Sequence, residues 1–270
     1  MRIMFAGDIV GSSGRKAFAE TAEKLKREEK LDMIVANAEN AAGGRGISAP
    51  IGDEIMNSGA DVITLGDHAW DQKGVESYLE NNPRVVRPAN FHPSCPGHGY
   101  TTVDVNDVKV TVINFLGRVF MKPMDCPFRK ADEILNSVEE LGDIILVDFH
   151  AEATSEKACM GRYLDGRVSC VVGTHTHVQT SDECVLPGGT AFITDLGMTG
   201  VTESIIGRDT GTIIERIITG MPTKFKLAKG NAVTEGVIID VDVSSGKAAA
   251  IKRIREKAVE VRPDIGEEDE

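Results

Sequence analysis

Residues 2–8 read RIMFAGD: an apolar run of strand length that stops at Gly7 and delivers a carboxylate, Asp8. The same figure returns four times. Residues 32–38 (DMIVANA) lead to Glu39-Asn40. Residues 61–65 (DVITL) lead through Gly66 to Asp67-His68. Residues 143–149 (DIILVDF) lead to His150. Residues 168–173 end at Gly173 and open into Thr174-His175-Thr176-His177. Continuous apolar runs of four to eight residues suit strands buried on both faces. In α/β sheets, ligands gather outside the carboxyl ends of the strands. Five strands bringing Asp, Glu, Asp, His and His-x-His to one rim predict a shared site.

Elementary electrostatics says what that site needs. Asp8, Glu39 and Asp67 would place three carboxylates together near a desolvated edge, where like charges raise one another's pKa and oppose folding. A cation removes the conflict. Carboxylates with imidazoles suit iron, manganese or zinc better than calcium, which prefers oxygen alone. No cysteine belongs to the set, which argues against a thiolate-rich structural zinc site. Each piece has an ordinary alternative: Asp8 as a helix cap, Glu39-Asn40 as turn residues, His150 as a buried, satisfied histidine. It is their common placement that favours a metal centre.

Between the ligand-bearing strands the pattern turns helical. Apolar positions at helical spacing predict helices over 14–30, 50–59, 72–81 and 128–140. Residues 100–105 and 108–114 predict a hairpin turning at Asn106-Asp107. Residues 117–128 predict a loop, and the alternation over 223–256 predicts antiparallel strands. An alternating βα start with a β-rich end implies mixed sheets covered by helices. No repeat or long linker interrupts the chain, so residues 1–265 are expected to form a single domain, followed by an acidic tail, 266–270.

The chain has 270 residues, of which 41% are hydrophobic and 27% charged, and 30 basic against 42 acidic residues leave a net charge of −12. Such a surface repels long nucleic acids, which need many basic phosphate contacts; it does not exclude a small anion, because a metal reverses the local potential. No apolar run reaches the roughly 18 residues of a membrane span, and residues 1–7 read as a strand rather than a signal peptide. Five scattered cysteines without a CxxC pair fit a reducing compartment. A cytoplasmic protein is expected. Val119, Phe120 and Met121 could pack over the pocket or against another subunit, so a homo-oligomer is compatible with the sequence.

Three other features resemble sites. Residues 7–14 (GDIVGSSG) are glycine-rich but lack both the P-loop ending and the dinucleotide fingerprint. His92, Cys95 and His98 have ligand-like spacing but no fourth partner nearby, which favours a plain loop. Trp70 follows the site loop and is expected to be a packing anchor.

Taken in order, Gly7-Asp8, Glu39-Asn40, Gly66-Asp67-His68, His150 and the Gly-Thr-His-Thr-His run at 173–177 resemble the signature of the calcineurin-like metallophosphoesterases. The resemblance is closer to the YmdB-like 2′,3′-cyclic-nucleotide phosphodiesterase branch. It spans nearly the whole chain and includes Gly7-Asp8-Ile9-Val10-Gly11, Asn37-Ala38-Glu39-Asn40, Asp195 to Gly200 and Thr219 to Thr223. It implies an αββα sandwich of two mixed sheets flanked by helices. It also implies two metal ions per chain, iron or manganese ahead of zinc. Asp8, Glu39, Asn40 and His177 would surround one ion. Glu39 would bridge to a second, held also by Asp67, His150 and His175. Asn40 would in addition bind a phosphate oxygen of the substrate, and His68 would be the general acid. The implied reaction is hydrolysis of small phosphodiesters such as 2′,3′-cyclic nucleotides by a hydroxide between the metals. A phosphomonoesterase, an RNA-end nuclease or a low-turnover metal-binding regulator are the alternatives. One residue departs from the pattern: position 67 is Asp where the superfamily usually has Asn.

Overall fold

The computed structural model describes residues 1–137 and 141–258. Its first sheet gathers eight strands: β1 (Arg2–Ala6), β2 (Asp8–Ile9), β3 (Met33–Asn37), β4 (Val62–Thr64), β5 (Val85–Val86), β12 (Met198–Val201), β13 (Ala232–Asp242) and β14 (Lys247–Lys257). The second gathers six: β6 (Tyr100–Val105), β7 (Val108–Leu116), β8 (Ile144–His150), β9 (Cys170–Thr174), β10 (Cys184–Val185) and β11 (Ala191–Ile193). Both sheets are mixed. β1 pairs parallel with β3 and antiparallel with β13; β8 pairs parallel with both β7 and β9.

The period-2 alternation of strand side chains divides the core into three layers. Along β1, Ile3 and Phe5 point between the sheets, where they join Val35 and Val237 and meet Val110, Val112, Leu146 and Val172. Met4 and Ala6 point to the outer face, under α1 (Gly11–Glu28), α2 (Ala49–Asn57) and α3 (Val75–Asn81). The far face of the second sheet, with Ile113, Phe115, Val147 and Phe149, is covered by α4 (Pro127–Ser137) and α5 (Thr154–Leu164). The layer order is α, β, β, α, as the resemblance implies.

Most expected elements are present, with shifted ends. The hairpin turns at Asn106 and Asp107, both at positive φ, 51° and 64°, as a two-residue turn between right-twisted strands requires. The strands expected within 223–256 are β13 and β14, paired antiparallel, although residues 223–231 precede them as loop. The last residues of the helix expected to reach 140, and the tail 266–270, lie outside the described residues. Asp8 does not simply follow a strand: it opens β2, which leaves β1's line and pairs in parallel with β12. Gly7 permits that step, since a Cβ there would lie 2.3 Å from the Gly197 carbonyl oxygen.

Candidate metal centre

The parallel strands end on one rim, and there the side chains converge. One ligand atom each from Glu39, Asp67, His150 and His175 falls within a 4.8 Å group. Nε2 of His150 stands 3.1 Å from Glu39 Oε1, 3.4 Å from Asp67 Oδ1 and 3.0 Å from His175 Nδ1. The remaining predicted ligands stand alongside. His177 Nε2 is 3.7 Å from Asp8 Oδ1 and 3.2 Å from the Asn40 amide nitrogen. Asn40 also donates to Glu39 Oε1 at 2.9 Å. Glu39 thus lies between the two groups. All eight residues singled out in the sequence, His68 included, meet at this rim.

Local structure explains how each is aimed. His150 is fully buried at the end of β8. Its Nδ1 lies 2.9 Å from the Thr174 hydroxyl, which itself donates to Asp148 Oδ1 at 2.7 Å. The hydroxyl proton is therefore committed to Asp148, Nδ1–H of His150 is the donor, and Nε2 is the ring atom that faces the cluster. Asp148 also accepts from Asn37 and Thr64, which belong to the first sheet, so one buried carboxylate ties both sheets beneath the site. His177 is fixed likewise: its Nδ1 donates to the Ile206 carbonyl at 3.0 Å, leaving Nε2 toward Asp8. His68 donates its backbone N–H to Glu39 Oε2 (3.2 Å) and sets Nδ1 3.0 Å from Asp71 Oδ2. Gly66 is glycine for space: a Cβ there would stand 2.2 Å from Glu39 Oε2 and 2.4 Å from His150 Cδ2.

The charges are frustrated without a cation. Burial pushes the Asp8 carboxyl up to about 6, against the pull of His177 and His150. Burial also opposes ionisation of Glu39 and Asp67, yet His150 outweighs it and holds both well below the usual range. His150 responds in kind: burial opposes its charge, but Glu39, Asp67 and Asp8 raise it well above its ordinary value. Burial and His150 depress His175 to about 4. Asp8 Oδ1 and Asp67 Oδ1 are buried without a hydrogen-bond donor, a costly state for carboxylate oxygens. Oxygens left bare beside outward-facing imidazole nitrogens fit a divalent metal.

Several of these partners were not foreseen in the sequence: Asp71 on His68, Glu152 Oε2 at 3.2 Å from His175 Nε2, and Asp148 with Thr174 and Asn37. Asp148 carried a signal, as a lone acid inside an apolar strand. His92 bonds to Ser94 (2.7 Å), and Trp70 packs on Phe91 with ring centroids 5.7 Å apart.

Known proteins resemble the chain along most of its length. A "2′,3′-cyclic-nucleotide 2′-phosphodiesterase" of Bacillus subtilis is 49% identical over 94% of this chain and 96% of its own length. A solved structure from Mycoplasma pneumoniae, described as a novel phosphatase, superposes with a TM-score of 0.91 at 33% identity, covering 97% of this chain and 95% of its own. A putative 5′-nucleotidase from Staphylococcus aureus shares the fold alone, with a TM-score of 0.59 at 16% identity, and this chain spans 56% of it. Residues 4–254 match the family model described as "YmdB-like protein". A match of that extent, beside a relative 49% identical along nearly the whole chain, makes the chain a member of the YmdB-like family.

Proposed function

We propose that the chain is a dinuclear metal-dependent phosphodiesterase acting on small phosphodiesters, 2′,3′-cyclic nucleotides foremost. The observation that carries the reading is the position of Glu39, shared between the Asp67–His150–His175 group and the Asp8–Asn40–His177 group. One carboxylate between two ligand sets is what a pair of adjacent ions needs. Asp8, Glu39, Asn40 and His177 would hold one ion, and Glu39, Asp67, His150 and His175 the other. Iron or manganese fits the mixed oxygen and imidazole donors. When bound, such ions activate water at neutral pH and neutralise charge developing on phosphoryl oxygens.

The chain's own residues supply the rest. Asn40 would hold a phosphate oxygen. Asp71 accepts from His68 Nδ1–H, which leaves Nε2 as the atom that delivers a proton to the departing alkoxide. Histidine is the side chain most often used for such a proton transfer. The substrate assignment draws on the Bacillus subtilis relative. Residues 1–265 would work as one unit in a reducing, cytoplasmic setting; among the described residues no helix is long and apolar enough to cross a membrane.

Metal analysis of the purified protein, paired with turnover of 2′,3′-cyclic AMP with and without manganese, tests the reading. The expected result is about two metals per chain and hydrolysis abolished by chelation. Metals without turnover would leave a binding or regulatory role. Absence of metal even after supplementation would overturn the assignment.

A further inference from the structure

Lys157 and Asp195 form a buried ion pair that no step of the proposed chemistry uses. Each is 1% exposed, and Lys157 Nζ stands 2.6 Å from Asp195 Oδ2. Burying two charges costs several kcal/mol per ion before their attraction repays it, so such a pair is weak evidence of stability by itself. Its surroundings point to another purpose. Asp195 Oδ2 also accepts the backbone N–H of Thr176 at 3.1 Å, and Oδ1 accepts that of Gly197 at 2.9 Å. Thr176 is the residue between His175 and His177. Both histidines hold left-handed backbone, at φ 100° and 63°, a region costing non-glycine residues about 1–3 kcal/mol each. The Lys157 stem fills the space next to Gly173, where a Cβ would meet Lys157 Cδ at 2.8 Å and the Thr194 carbonyl oxygen at 1.8 Å.

We infer that Lys157 and Asp195 are positioning residues for the metal ligands. Asp195 clamps the middle of the strained His-Thr-His turn through the Thr176 amide. Lys157, reaching in from α5, orients that carboxylate and balances its charge. The histidines are thereby held with Nδ1 of His175 and Nε2 of His177 turned toward the two ligand groups. This inference depends on the centre binding metal, as proposed above.

Manganese chloride alone serves as the probe, with affinity read by titration calorimetry. Lys157→Met would strand an unpaired buried carboxylate, so the informative variant is Lys157→Met with Asp195→Asn, which removes both charges and keeps an isosteric side chain. Its metal-free melting midpoint is expected to stay close to that of the wild type, while manganese affinity falls about 10–100-fold, the usual penalty for a lost outer partner. A folded double variant with wild-type affinity would overturn the inference. Should that variant fail to fold, amide exchange in the metal-free wild type decides. The Thr176 N–H is expected to be protected like the core, and exchange at an open loop's rate would overturn the clamp. A wild type that binds no manganese would instead refute the metal-centre reading, whatever Thr176 does.

Discussion

His68 differs from the other site histidines in its surroundings. His150 is buried against three acids, whereas His68 is partly open and has a single carboxylate, Asp71, at its Nδ1. Its side chain lies outside the four-residue ligand group. That separates donating a proton from holding an ion. His68→Ala is therefore expected to lower kcat/KM on 2′,3′-cyclic AMP about 10²–10⁴-fold while metal content stays at the wild-type level. Bis-p-nitrophenyl phosphate, whose leaving group needs little protonation, should suffer far less. Kinetics on both substrates with metal analysis would check this; loss of the metals would make His68 a ligand instead.

At the scale of elements, what was legible and what was not divide on physical grounds. Strands buried on both faces write themselves as apolar runs, so β1, β3, β4, β8 and β9 were readable, and with them the candidate ligands near their ends. The hairpin was readable because its two-residue turn demands particular backbone. β12, α5 and α6 (Thr210–Thr219) were not. β12 spans four residues, Met198–Val201, within a glycine-rich stretch, and is a strand only because β2 and β13 flank it. α5 buries Glu156 and Lys157, so its inner face does not look apolar. The partners that aim the ligands come from such places, or from a different sheet than the ligand they support, and no spacing rule links them. The Thr174 hydroxyl shows what this hidden layer does. It accepts from His150 and donates to Asp148, fixing which ring nitrogen faces the acidic cluster. Thr174→Val keeps the shape and removes the relay, so manganese affinity is expected to drop about 10–100-fold, with Thr174→Ser restoring most of it. Calorimetry would measure the affinities, and nitrogen NMR of the His150 ring would show the lost tautomer preference. Unchanged affinity in Thr174→Val would remove the relay from the account of the site.

Over the whole molecule, net charge −12 and a buried acidic cluster make stability depend on what neutralises the centre. In the metal-free protein that is protons. Folding raises the His150 pKa well above 6.5, so its contribution is complete below that unfolded value and is lost as pH climbs through the folded one. Folding also raises Asp8 from 3.8 to about 6; the fold favours its protonated form, and that contribution is lost as pH rises through this range, before His150 begins to lose its own. Glu39 and Asp67 act oppositely, since their depressed values stabilise the fold above the ordinary carboxylate range and are forfeited only in stronger acid. His175, depressed to about 4, stays neutral in the folded state from pH 6 upward. The net expectation is a metal-free melting midpoint that falls as pH rises above about 6.5. On the proposed reading, metal is expected to reverse the trend, because it would replace the proton on His150 and bind more tightly as protons become scarce. Its stabilisation grows with the ratio of free ion to Kd. Thermal scans in chelator and in excess manganese should therefore diverge as pH rises, and calorimetry in two buffers of different ionisation heat should show protons released on binding. Parallel melting curves without proton release would mean that His150 and Asp8 do not hold metal, and the proposed ligand set would have to be redrawn.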